Sequence, residues 1–124
     1  DKVDAGEVGS GQSVTAIYEM EMTGKKTNKP LAVVNMRYKD VRDNQMKEQS
    51  MKVLNTNISG EFAKAPSSLR LAFLAGKYAE VLQRGGNDEG VTIEHLLKYM
   101  RPLAAELNSD SKVQEMLQLM IKSK

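Results

Sequence analysis

Three glycines, Gly6, Gly9 and Gly11, crowd the stretch DKVDAGEVGSGQSVTAIYEM and run straight into an alternating segment. Glycines so close together could cradle a phosphate. A dinucleotide fingerprint needs a strand before the glycines and a helix after them, so that amides at the helix N-terminus face the phosphate. Here the strand-like pattern follows, and no Gly-Lys-Ser/Thr triplet occurs. The glycines read instead as a bend that feeds a strand, through positive φ or a bulge. If Gly9 needs positive φ, Gly9→Val is expected to destabilise the fold.

Other residues with chemical potential are sparse. Asp1, Asp4 and Glu7 cluster near the start, but the Asp-x-Asp-x-Asp-Gly pattern of a calcium loop is absent. The cluster reads as a solvated acidic turn. His95 is the single histidine, and with no cysteine it cannot build a zinc site of three or four ligands. Gly9-Ser10-Gly11 lacks the spacing of a nucleophile elbow. His95 therefore reads as a surface or half-buried helix residue. Arg84-Gly85-Gly86 occurs once and ends a helix, unlike the repeated tracts that bind RNA.

The elements that would position these residues follow from periodicity. Ser13 to Met22 alternates, with Val14, Ala16, Tyr18, Met20 and Met22 on one side, as in a half-buried strand. Residues 23–30 read as a polar turn or hairpin loop. Leu31 to Lys39 reads as a second strand, Lys47 to Leu54 as a weaker third, and Ile58 to Phe62 as a short fourth pairing. At Pro66 the period changes. Ser67 or Ser68 suits an N-cap for a helix from Leu69 to Gln83, ended by Gly85-Gly86. Its apolar residues cover most of its surface, and Gly76 in its middle implies close packing against a neighbouring backbone.

Asn87 to Gly90 reads as a loop, after which Thr92 caps a second helix. Ile93, Leu96, Leu97, Met100, Leu103, Ala104 and Leu107 form its inner stripe, and Pro102 is expected to kink or split it near Met100. Ser111 with Gln114 makes a capping box for a last helix. Its stripe is Val113, Met116, Leu117, Met120 and Ile121.

Composition bounds the rest. At 124 residues the chain suits one domain. Its hydrophobic fraction of 40%, with eight Met and no Trp, describes a modest core. The net charge of +2 is spread evenly over both halves, which gives nucleic acid little purchase. No apolar run reaches membrane-spanning length. The abrupt start at Asp1, without Met or signal peptide, leads us to expect a piece of a longer protein. Strands followed by helices argue α+β or two subdomains: antiparallel strands over 1–65, then a small helical bundle over 66–124, read here as packed into one structural unit. If the strands belong to a β-sandwich, its partner strands lie outside this chain.

The opening stretch resembles the region that follows the von Willebrand factor type A domain in a group of bacterial proteins. Asp1, Lys2, Asp4, Ala5, Gly6, Glu7, Gly9, Gly11, Val14, Thr15, Ala16, Tyr18 and Glu19 match its pattern, and Gln12 replaces the usual His. Met36-Arg37-Tyr38-Lys39 resembles the end of the family's second strand. The helix from Leu69 resembles a family helix less closely.

The resemblance implies that a type A domain lies upstream and carries any Mg²⁺ in its adhesion site. The Asp-x-Ser-x-Ser motif of that site is absent here, so this chain is expected to take no metal and no cofactor. The resemblance also implies that the strands complete a β-sandwich beside that domain, with Asp4, Gly6, Glu7, Gly9, Gly11 and Tyr18 as its structural and interface motif. Such proteins are often secreted or held at the cell envelope. The expected function is a non-catalytic interaction or adhesion scaffold. Two alternatives stand beside it. One is a helical partner-binding module using the Val113–Ile121 stripe; the other is a hydrolase-type enzyme using Glu7, His95 or Asp110 in one polar cleft.

Overall fold

A computed structural model of the chain describes residues 6–22, 29–58, 60–88 and 90–124. The architecture is α+β: an antiparallel pair of strands towards the N-terminal side, then three helices. The chain divides into two compact units, one of Asp1–Glu19 with Ala65–Lys124 and the other of Met20–Lys64.

The second unit is built on a hairpin. Strand β1 (Ala32–Asp40) pairs with β2 (Gln45–Val53) from Ala32 opposite Val53 to Asp40 opposite Gln45. The β-branched and aromatic residues of β1 favour the pleated conformation. A four-residue turn joins the strands, and Asn44 takes φ of 58° there, a left-handed value that asparagine tolerates. Its N–H donates to the Asp40 carbonyl at 2.8 Å. Both strands match the sequence expectation within two residues.

Among the described residues the other two expected strands do not form. Ser13 to Met22 carries no strand, and Ile58 to Phe62 gives way to a short 3-10 turn over Phe62–Lys64. The alternation of residues 13–22 is real, but a strand exists only when a neighbour takes its backbone amides. Among the described residues none does, and no closed sandwich forms.

The first unit holds the core. Helix α1 (Ser67–Gln83), α2 (Ile93–Glu106) and α3 (Ser111–Lys122) bury Leu74, Val81, Leu96, Leu97, Met100, Leu103, Val113 and Met120. On α2 these residues recur at intervals of three and four, the spacing that puts them on one face. Each such burial stabilises by roughly 1.5–3 kcal/mol. Two short strands, β3 (Asn87–Asp88) and β4 (Val91–Thr92), pair between α1 and α2 where a loop was expected.

The helix ends correct several expectations by a residue or two. Neither Ser67 nor Ser68 caps α1: Pro66 precedes the helix, and its carbonyl accepts from Arg70 N at 3.0 Å. At the other end Gly86 N donates to Val81 O at 2.8 Å and Gly85 N to Leu82 O at 3.2 Å. Both glycines have positive φ, which completes a Schellman motif.

Thr92 caps α2 as expected. Its Oγ1 accepts from His95 N, and His95 Nδ1 lies 3.4 Å from Thr92 N. Pro102 does not split α2. Pro102 removes the amide that the Lys98 carbonyl would accept from, and both residues are exposed, on the solvent side of the helix. The cap of α3 is Asp110, which accepts from Lys112 N and Val113 N, not Ser111. Gln114 makes no capping box. It donates instead to Ala104 O at 2.8 Å, satisfying a carbonyl in the last turn of α2.

Candidate interaction surfaces

The hairpin is amphipathic. Alternate residues of a strand share a face, so Ala32, Val34, Met36 and Tyr38 lie beside Val53, Met51, Gln49 and Lys47 across the register. The opposite face carries Val33, Asn35, Arg37 and Lys39 against Lys52, Ser50, Glu48 and Met46. Among the described residues no third strand pairs with either edge. Val34, Met36 and Met51 are all exposed, Met51 by 64%. A two-stranded ribbon with a bare apolar face is marginal in water on its own.

The turn end of the ribbon is fixed by charge. The carboxylate of Asp40, although buried, accepts from Arg42 Nε at 3.0 Å and Nη2 at 2.7 Å, from Arg42 N at 3.0 Å and from Lys47 Nζ at 2.6 Å. The Arg42 guanidinium, then the Lys47 ammonium, hold Asp40 far below the usual carboxylate range. Lys47 also reaches Asp43 at 2.9 Å and lowers its pKa, while Asp40 and Asp43 together raise that of Lys47. This network clamps the turn and leaves the remainder of the ribbon open.

In the helical unit, a cleft of about 320 Å³ is lined by Ile17, Tyr18, Glu19, Phe73, Gly76, Lys77 and Glu80. Gly76 explains how the segment before the hairpin reaches α1. Ile17 Cδ1 lies 3.3 Å from where a Cβ on Gly76 would stand. The neighbour that needs this glycine is therefore a side chain and not the expected backbone. At the same cleft, Lys77 pairs with Glu80 at 2.9 Å and with Asp88 at 3.2 Å. Glu80 first, and Asp88 second, raise its pKa above the ordinary lysine value. Asp88 is buried, and its Oδ1 meets Arg84 Nη1 at 2.5 Å as an ion pair without the alignment of a hydrogen bond. No local pattern foretells this cluster, because its members come from α1, its C-cap and β3.

The expected motif residues are placed as follows. Asp4 lies outside the described residues. Gly6 and Glu7 are exposed, and a Cβ on Gly6 would meet nothing. Gly9, Ser10, Gly11 and Gln12 form a turn closed by Gln12 N to Gly9 O at 3.1 Å. Gly11 is the residue with positive φ, 77°; Gly9 is not, so the condition for strain at Gly9→Val is not met there. Gly9 instead offers its N–H to Gln12 Oε1 at 3.0 Å. Tyr18 is exposed and lines the cleft.

Glu7, His95 and Asp110 do not line the cleft. His95 and Asp110 serve as caps at two different helices. Among the described residues no group of three or more carboxylate or imidazole side chains is placed to hold a metal ion. No helix among them is long and apolar enough to cross a membrane. The stripe of α3 faces inward, with Val113 and Met120 buried and Met116, Leu117 and Ile121 partly so.

A model of the family described as "Uncharacterized protein YfbK, C-terminal" matches residues 1–124. The chain belongs to that family. The YfbK C-terminal match takes in the glycine motif, the ribbon and all three helices, so these are parts of one family region. No curated protein and no solved structure matches the chain. The region described by the family is the C-terminal part of a larger protein.

Proposed function

We propose that this region is a non-catalytic interaction and scaffold module accompanying an upstream von Willebrand factor type A domain. The observation that carries the reading is the ribbon. Its apolar face, Val34, Met36 and Met51 among others, is bare in a chain whose buried aliphatic core lies in the helices. Membership of a C-terminal family supports a partner within the same polypeptide. The resemblance of the opening motif supports a type A domain as that partner.

In this reading, upstream strands lie across the apolar face and complete a β-sandwich. Residues 13–22 keep their strand-like alternation for that setting. The chain contributes no catalytic group and no cofactor, and any Mg²⁺ belongs to the type A domain. The inward-facing stripe of α3 argues against an exposed helical docking surface.

Amide hydrogen exchange tests the reading on two samples, the intact protein and this 124-residue region. Amides of β1 and β2 should exchange markedly more slowly in the intact protein, where the ribbon gains a covering layer. Equal, fast exchange in both samples would sink the proposal. Dependence of that protection on Mg²⁺ would tie it to the state of the adhesion site.

A further inference from the structure

The outer edge of β2 carries a pattern that reads the same after a half-turn. With Ser50 as centre, Glu48 falls opposite Lys52 and Lys52 opposite Glu48, on the polar face of the ribbon. Met46 falls opposite Leu54, and both are exposed apolar residues. On the apolar face Gln49 meets Met51, and Lys47 meets Val53. We propose that β2 pairs antiparallel with β2 of a second copy of the chain, about a two-fold axis at Ser50. The product is a four-stranded sheet closed by two Glu48–Lys52 ion pairs.

Three observations support this register. Glu48, Ser50 and Lys52 are exposed, and no strand borders β2 on that side among the described residues. Opposite charges directly across a strand pair stabilise it, and like charges destabilise it. The two-fold at Ser50 supplies two favourable pairs, whereas a two-fold at Glu48 or Lys52 sets that residue against its own copy. Registers that pair odd with even positions place one copy's apolar face beside the other's polar face, because side chains alternate along a strand.

The edge of β1 behaves differently. A two-fold at Arg37 opposes two guanidiniums, and one at Tyr38 sets Arg37 against Lys39. Positive residues on an edge are a known guard against self-pairing. The nine-residue edge of β2 has no proline or bulge, and its two lysines, Lys47 and Lys52, meet Val53 and Glu48 rather than each other across the two-fold at Ser50. Its charges select one isologous partner instead.

The edge of β2 and the apolar face of the ribbon are separate surfaces. Loss of this pairing therefore leaves the proposed covering of the face untouched, and the reverse also holds. The test is sedimentation velocity on the intact protein carrying Glu48→Lys, Lys52→Glu, or neither. Wild type should dimerise with rising concentration. Each single variant should self-associate about tenfold more weakly or worse, since it sets two like-charge pairs across the axis. An equimolar mixture of the two variants should regain dimers, because every pair across the axis is again opposite in sign.

Ser50→Cys gives a second readout. Directly opposed residues of antiparallel strands stand about 4.5–5.5 Å apart at Cα, within the range a disulfide spans. Oxidation should yield a disulfide between the two copies at position 50, identifiable by mass spectrometry. A wild type that stays monomeric, a mixture that associates no better than its components, or a monomer whose β2 edge is protected by an upstream strand would each overturn the proposal.

Discussion

Cδ1 of Ile17 lies 3.3 Å from the point at which Gly76 would carry a Cβ. Two effects meet at this position. Glycine inside a helix costs about 1 kcal/mol relative to alanine. An added methyl would press on the terminal methyl of Ile17, whose side chain is partly exposed. The helix effect is the larger. Gly76→Ala should therefore stabilise the helical unit by about 0.5 kcal/mol and raise Tm by a few degrees. Gly76→Val should do the reverse, since its branched side chain fills the space of Ile17 and fits the helix less well. Thermal melts of the two variants check the order; a lower Tm for the alanine variant would show that Ile17 cannot yield.

The Asp40 network predicts a pH response with a definite sign. Arg42 and Lys47 hold the folded-state pKa of Asp40 far below the value of about 3.9 expected in an unfolded chain. A depressed carboxylate contributes its stability in full above the unfolded value and loses it as pH falls towards the folded one. Asp43 is lowered by Lys47 in the same sense. Amide shifts of the rungs from Tyr38–Lys47 to Asp40–Gln45 should hold steady from neutral pH to about 4 and move only in stronger acid. Asp40→Asn should weaken the hairpin at neutral pH and flatten the acid response. A variant with the wild-type pH profile would show that the network does not govern the turn.

Asp88 predicts a sensitivity to removal. Its carboxylate is buried and faces Lys77 and Arg84. Asp88→Ala should destabilise the helical unit by about 1–3 kcal/mol, the range for leaving buried polar partners unsatisfied. Arg84 can turn to solvent, which favours the lower end. Urea midpoints at unchanged m-value measure the loss. A change below about 0.5 kcal/mol would assign the cluster to surface ion pairing of little consequence.

The contrast between legible and hidden features is physical. The three helices could be read because the residues that bury them recur at helical spacing within each segment; Leu96, Leu97, Met100 and Leu103 are enough for α2. The hairpin could be read because both strands are contiguous and joined by a short turn. Residues 13–22 misled because alternation reports a willingness to be a strand, whereas a strand also needs a neighbour. The α3 cap is Asp110 and not Ser111 because both residue types suit the position, and only backbone geometry chooses. The Lys77, Arg84 and Asp88 cluster was hidden since nothing local links Lys77 to a residue eleven positions on. Gly11 and not Gly9 bears the positive φ because the turn spans Gly9 to Gln12 and places Gly11 third, where a type II turn requires it.

The bare face of the ribbon is also rich in sulfur. Met36 and Met51 present thioethers to solvent on that face, and Met46 does so on the other. Oxidation to the sulfoxide turns such a side chain from apolar and pliant into polar and chiral. A covering layer that packs on Met36 and Met51 would shield them from peroxide, and prior oxidation would weaken the packing of that layer. Under the proposed covering of the ribbon, the same two residues would make that association sensitive to oxidants, in a chain that has no cysteine to sense them.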